Sequence, residues 1–419
     1  MIETIYMYPN CYTREFQQFV KKDYRRNKKL EIKTVENGLV LPLKVSETGV
    51  PLLGYGGVLD SDDHYVMESA QIGKGDTADR FIGKYEYNIC EVDISDEAVI
   101  YIGALPLHWG HFLIDMTYRF WIFAHDEFSD NKIVYCTNNT RFQGVQLEFM
   151  KMLGIDPKRL CPIEKPTRFR TIYIPEPGYM ACDYFTQEYR NTFSRLVNNS
   201  PQLNLNPYEK IYLSRGHFKK AQKSEIGERN IEDNFAANGF QVLYMEELSL
   251  AEQIFYISHC KTVAALSGTL CHNILFANSS ITWIILNKTH LINTHQVLLN
   301  QMIGCRVIYI DLYIEPFKCI PTSYGSGPFL LDAGKLQKYF EENGMKFIRK
   351  SKLSRCCDFL IYLKMCLQIK GQTLFSKLYI KAYNKACKYK FIITPLRYAK
   401  SIVDNTLGRL KKIMANKGV

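Results

Sequence analysis

Four side chains along ALPLHWGHFLIDMTYRFWIF, residues 104–123, have types and spacing that suit chemistry: His108, His111, Asp115 and Arg119. Residues three, four and seven apart share one face of a helix, so His108, His111 and Asp115 can project together from its first turns. A carboxylate beside an imidazole on a helix that faces a cleft can act as a general base. Two other readings of the segment stay open. Asp115 can pair with Arg119 at i+4, a surface contact of only a few tenths of a kcal/mol. His108, His111 and Asp115 can also be taken as metal ligands for a hydrolase, although their spacing is no known zinc signature.

Two further segments carry candidate ligand groups. KIYLSRGHFKK places Ser214 and Arg215 where a strand ends, followed by His217, Lys219 and Lys220. Basic groups at the carboxyl end of a strand suit a phosphate. TVAALSGTLCHNILF puts Ser267, Gly268 and Thr269 between a strand and a short helix. Glycine there lets a ligand approach the backbone closely, and the free N–H groups of the helix start can receive a diphosphate without a metal.

The elements that must position these groups form an alternating series. AVIYIGAL, KIVYC and RTIYIP read as strands, separated by helices over 108–124 and GVQLEFMKMLG and followed by the helix QEYRNTFSRLV. After the polar segment NNSPQLNLNPYEK a second series begins: strands KIYLS, QVLYM, TVAAL, TWIIL and CRVIYIDL with helices between them. Ser249 and Glu252 have the spacing of a capping box. Strands alternating with helices imply a parallel sheet covered on both faces, here two α/β units around a cleft, with ligands beyond the carboxyl ends of the strands. The expected division is an N-terminal α/β lobe over 1–200, a C-terminal Rossmann-like lobe of nucleotide-binding type over 206–340 with about five strands, and a basic helical tail over 345–419.

A chain of 419 residues with 47% hydrophobic and 23% charged residues exceeds one core and fits two domains. Its 13 cysteines are odd in number and scattered without a C-x-x-C pair, which argues against a disulfide framework or zinc ribbon and for a reducing compartment. MIETIYMYPN has neither the basic start nor the apolar run of a signal peptide, so the expected location is the cytoplasm. Charge is uneven: the tail carries 18 Lys or Arg against two acids, +16, and since the whole chain is +11 the first 344 residues stand at −5. Lysines break every apolar run of the tail. That composition suits helices lying on an anionic membrane surface, where each basic residue contributes about 1 kcal/mol, or helices packing with solvated lysine faces. No nucleic-acid-binding signature accompanies it.

Taken in order, these segments resemble glycosyltransferase family 61, whose bacterial members include capsular polysaccharide biosynthesis proteins. HWGHFLIDMTYRFW is similar to the family's G-H-F-x-x-D block with a following arginine and aromatic, at Gly110, His111, Phe112, Asp115, Arg119 and Trp121. KIYLSR is similar to its strand ending in Ser-Arg, and Glu228, Gly239, Phe240, Glu247 and Gln253 match the next stretch. SGTLCHNILFA resembles H-G-A-G-L-T-N-x-x-F, with Ser267 and Leu270 in place of the first His and second Gly, and Gly227 stands where Asn is usual.

The resemblance implies a GT-B-like fold of two Rossmann-like lobes and an inverting transfer without an obligatory metal or other cofactor. The co-substrate would be a nucleotide sugar, expected to be UDP-linked. Asp115 would be the base with His111 orienting it. Arg215 and the Ser267–Thr269 turn would take the diphosphate and Glu247 the ribose or base, with Asn273 in the same turn. His108, Arg119, Glu228 and Gln253 would be supporting residues. The partners implied are the donor and a glycan or lipid-linked glycan acceptor at the inner face of the cell membrane, reached through the basic tail. A catalytically silent sugar-binding scaffold is the remaining alternative.

Overall fold

The computed structural model describes residues 5–8, 14–45, 51–52, 54–71, 83–106, 108–137, 141–218, 224–291, 293–316 and 327–367. Lys219, Lys220 and the tail from residue 368 lie outside these.

The chain is α/β. One sheet is wholly parallel, with the strand order Ile5–Tyr8, Arg306–Asp311, Thr282–Asn287, Thr262–Leu266, Lys210–Ser214, Gln241–Tyr244. The second series of the sequence supplies five of its strands, while Ile5–Tyr8 comes from the N-terminus and pairs with Val307–Ile310. Although the sequence puts residues 1–200 in one lobe, this N-terminal segment completes the C-terminal sheet. Phe16 meets Tyr309 edge-on, and the side-chain amide of Gln301 accepts the Tyr24 N–H. A four-residue strand shows no pattern for its partner, so the crossing was not legible from sequence.

The other sheet has a parallel centre of Thr167–Pro175, Asp93–Ala104, Lys132–Cys136 and Leu160–Ile163. Ile32–Glu36, Leu39–Leu41 and Gly57–Leu59 extend it in antiparallel fashion.

Residues of one strand alternate between faces, and in the C-terminal sheet both faces are covered. Ile211, Leu213, Val263, Ala265, Ile285 and Val307 join a hydrophobic cluster that also holds Ile100, Ile133 and Tyr135 of the other sheet and Phe112, Phe149, Phe193 and Ile254 of the helices. Tyr212, Ala264, Leu266, Ile284 and Ile308 pack on the opposite face against Ile231, Phe235 and Phe340. The two sheets therefore share one core. The helix over 352–367 adds Tyr362 and Cys366 to Ile226 and Leu330. No helix among the described residues is long and apolar enough to cross a membrane.

Candidate functional site

The apolar run 108–124 is not one helix. An α-helix spans Trp109–Asp115 and a 3-10 helix Thr117–Ala124, with the backbone breaking at Met116 (φ −126°, ψ −46°). The Leu113 carbonyl accepts both the Thr117 hydroxyl at 2.5 Å and the Tyr189 hydroxyl at 2.7 Å, which competes with continuation of the α-helical ladder. The change of pitch turns Arg119 away from Asp115. Arg119 is fully buried, and its guanidinium donates to the carbonyls of Pro175, Glu68 (2.8 Å) and Ala70 (3.2 Å). The i+4 pair of Asp115 with Arg119 is thus replaced by Asp115 with His111, one turn back.

His111 Nδ1 lies 2.6 Å from Asp115 Oδ2. The imidazole is 48% exposed and the carboxylate 15%. A carboxylate only accepts, so Nδ1 carries the hydrogen and Nε2 offers its lone pair. Orientation of an imidazole by a carboxylate behind it is the arrangement of a general base whose working atom is the outer nitrogen. His108 precedes the helix with extended backbone, and its ring centre is 6.2 Å from that of His111.

Three-residue metal clusters among the described residues occur only at Asp60, Asp62 and His64, not at His108, His111 and Asp115. Asp60-Ser61-Asp62 is an Asp-x-Asp motif, which the chain was expected to lack. It forms an exposed turn after the strand Gly57–Leu59 at the edge of its sheet, where Asp60 Oδ1 accepts the N–H groups of Asp62 and His64.

The dyad abuts the Ser-Gly-Thr turn. A Cβ on Gly110 would stand 2.9 Å from Thr269 Oγ1, 3.2 Å from Thr269 Cγ2 and 3.3 Å from His272 Cδ2, so only glycine lets the two segments approach this closely. Trp109 Nε1 donates to Asn273 Oδ1 at 3.0 Å. Asn273 is buried and braces this junction; it does not present itself to a ligand. The helix after the turn is short, Thr269–His272, and passes into 3-10 geometry at Asn273–Phe276. Four residues align few peptide dipoles, so charged side chains must supply most of the attraction for an anion there.

His272 was not singled out by sequence. Burial and the neighbouring His295 hold its imidazole down to about 3. Its Nδ1 lies 2.9 Å from Gln296 Oε1; Gln296 Nε2 donates to Asn300 Oδ1 and Asn300 Nδ2 to the Tyr309 hydroxyl, each at 2.7 Å. The direction of that chain fixes the proton of His272 on Nδ1 and leaves Nε2 an acceptor.

At the carboxyl ends of three neighbouring strands stand Arg215, Ser267-Gly268 and Lys288. Lys288 Nζ is 2.6 Å and Arg215 Nη1 3.5 Å from the same oxygen of Glu225, Oε1. Ser267 Oγ accepts the Lys288 N–H at 3.2 Å. Glu228 is buried beside them; burial, then the charges of Glu225 and Glu232, push its carboxyl up to about 8. Neither Lys288 nor Glu225 came from the sequence reading, yet Lys288 follows the strand TWIILN directly, the same strand-end signal that selected Arg215.

Glu247 pairs at 2.5 Å with His217, which stacks on Tyr244 at 3.5 Å between ring centres. Gln253 is buried and donates to the carbonyls of Met245 and Leu248, holding the loop that presents Glu247. A cavity of about 200 Å³ opens beside the dyad helix, lined by Trp109, Leu105, Arg141, Gln143 and Gln146 among others. Residues 109–284, which contain the dyad, the turn and both strand-end arginine and glutamate groups, match the family model described as Glycosyltransferase 61. Comparison with curated proteins gives no match.

Proposed function

We propose, from the match of residues 109–284 to the Glycosyltransferase 61 family model, that the protein is an inverting, metal-independent glycosyltransferase of surface or capsular polysaccharide biosynthesis. It would move a hexosyl or pentosyl group from a nucleotide sugar, UDP-linked in the first instance, to a glycan hydroxyl. The two sheets are read as the two lobes of a GT-B-like enzyme, with the donor on the C-terminal one.

The observation that carries the reading is the His111–Asp115 dyad held against the Ser267–Thr269 turn through Gly110. In an inverting transfer the acceptor hydroxyl attacks the anomeric carbon from the side opposite the leaving diphosphate, and a base takes its proton as the bond forms. The His111 imidazole is the more exposed partner of the dyad, and its Nε2 takes that proton. Asp115 fixes the tautomer and stabilises the imidazolium that results, a division of labour reversed from the one expected of the sequence. Charge developing on the diphosphate meets Arg215, and Glu247 with His217 lies within the same lobe for the ribose or base. The cavity beside Trp109, with an indole and two glutamine amides in its wall, suits a sugar ring of the acceptor.

The basic tail supports a cytoplasmic protein bound peripherally at the inner face of the membrane, where lipid-linked glycans are extended. A thermal-shift screen with EDTA present, against UDP, GDP, CDP, CMP and their sugars, tests the donor reading. Stabilisation by one nucleotide class, lost in Arg215→Ala, is expected. No shift with any nucleotide, but stabilisation when zinc or manganese replaces EDTA, would overturn it in favour of a metal-dependent hydrolase.

A further inference from the structure

Resting on that reading, we propose that Lys288 is the second cation of the diphosphate site and binds the sugar-bearing phosphate through the gap left by Gly268. Three facts place it there. Lys288, Gly268 and Arg215 follow adjacent strands of one parallel sheet, so they stand side by side at its carboxyl edge, where ligands of such sheets lie. Gly268 has φ +135° and ψ −153°, a backbone conformation kept for glycine, and a Cβ at that position would sit 3.4 Å from Lys288 Nζ and 3.8 Å from Cε. The absent methyl is what lets an oxygen on the turn reach the buried ammonium. Thr269, the next residue, touches Gly110, and His111 follows Gly110, so a phosphate over Gly268 is the one nearest the dyad.

Glu225 supplies the counter-charge that a buried ammonium needs. Glu225 Oε1 holds it at 2.6 Å while also reaching Arg215 at 3.5 Å, so a single carboxylate oxygen aligns both cations. Its other oxygen, Oε2, is buried and has no hydrogen-bond partner among the described residues. Burial and the charges of Glu225 and Glu232 push the carboxyl of Glu228 up, which favours its neutral form beside an arriving anion. With only a four-residue helix behind the turn, the two cations rather than a helix dipole discriminate a diphosphate from a monophosphate.

The test compares the unaltered chain with Lys288→Met/Glu225→Gln, a double variant that removes the buried pair together, so that no buried charge is left alone and only the part-exposed Arg215 loses a carboxylate neighbour. Probes are inorganic pyrophosphate and the nucleoside di- and monophosphates of the base that stabilises the wild type, titrated with EDTA present. Wild type binds the diphosphate more tightly than the monophosphate and is stabilised by pyrophosphate. The double variant binds the monophosphate within about twofold of wild type, the diphosphate about tenfold or more weaker, and loses the pyrophosphate shift.

If the double variant keeps wild-type diphosphate affinity, Lys288 is only a core counter-ion and the inference fails. If wild type binds both nucleotides equally, the inference fails while the donor site stands. If it binds neither nucleotide nor pyrophosphate, the donor reading itself fails. Should the double variant not fold, Gly268→Ala measured at low temperature with the same probes gives the same decision: the inference requires loss of diphosphate preference, and its retention overturns it.

Discussion

Gly110→Ala tests how the site is assembled, because opposite effects on one residue can be weighed. In a helix alanine is favoured over glycine by about 0.8–1 kcal/mol, so an exposed helical glycine would be improved by the change. Here the new methyl would lie 2.9 Å from Thr269 Oγ1 and 3.2 Å from its Cγ2. Overpacking of this kind costs about 1–3 kcal/mol, so the net expectation is destabilisation of up to about 2 kcal/mol. For a cooperative unit of about 200 residues that corresponds to a fall of several degrees in Tm, at roughly 2–4 °C per kcal/mol. The helix must also move by a few tenths of an ångström, and His111 is the next residue. Misplacement of a catalytic group by about 1 Å can cost about a hundredfold, so a loss of activity near tenfold is expected. The assay pairs thermal unfolding with nucleotide release from the donor, in Gly110→Ala, Thr269→Ala and the double variant. Thr269→Ala removes both of the closest atoms, so the double variant should regain most of the stability and activity. A Gly110→Ala protein more stable than wild type by about 1 kcal/mol, with full activity, would refute the close approach.

Other expectations follow from the buried polar groups. Arg119→Ala should destabilise by on the order of 3–5 kcal/mol, since it removes charged hydrogen bonds to three carbonyls and leaves a cavity, and Arg119→Lys should restore less than half because an ammonium cannot reproduce the fork; a loss below about 1 kcal/mol in denaturant unfolding would show the contacts are dispensable. His272 has a folded-state value of about 3 against 6.5 when unfolded, so its contribution is present above pH 6.5 and lost as pH falls toward 3. At pH 5 this amounts to about 2 kcal/mol; His272→Gln should flatten the fall in stability between pH 7 and 5, and an unchanged slope would mean the imidazole is solvated. Truncation after residue 367 keeps Tyr362 and Cys366 in place and should abolish binding to anionic vesicles; unchanged partitioning would remove the membrane role of the tail.

Much of the two parallel strand sets was legible because each buried strand is an apolar run, and TVAAL and KIYLS of the C-terminal sheet and KIVYC of the other appear as strands at those same residues. The Ser249–Glu252 capping box also formed. What sequence could not give was partnership across the chain. Nothing in IYMY says that it pairs with Val307–Ile310, and nothing in Glu225 says that it meets a lysine 63 residues away. Helical spacing placed His111 near Asp115 correctly, but it extended the α-helix through Arg119 because an apolar run alone does not reveal that Thr117 and Tyr189 take the Leu113 carbonyl.

The central claim, that His111 backed by Asp115 is the base of a glycosyl transfer, is tested most directly by the release of free nucleoside diphosphate. Wild type, His111→Gln and Asp115→Asn are incubated with a panel of nucleotide sugars and EDTA, and the affinity of each for the nucleotide is measured in parallel. The account predicts release from one donor by wild type, a fall of about a hundredfold or more in both variants, and nucleotide affinity unchanged within about twofold. Release by the variants at the wild-type rate, or tight nucleotide binding by wild type with no release from any donor even when glycan acceptors are added, would contradict it, the second outcome pointing to a silent sugar-binding scaffold.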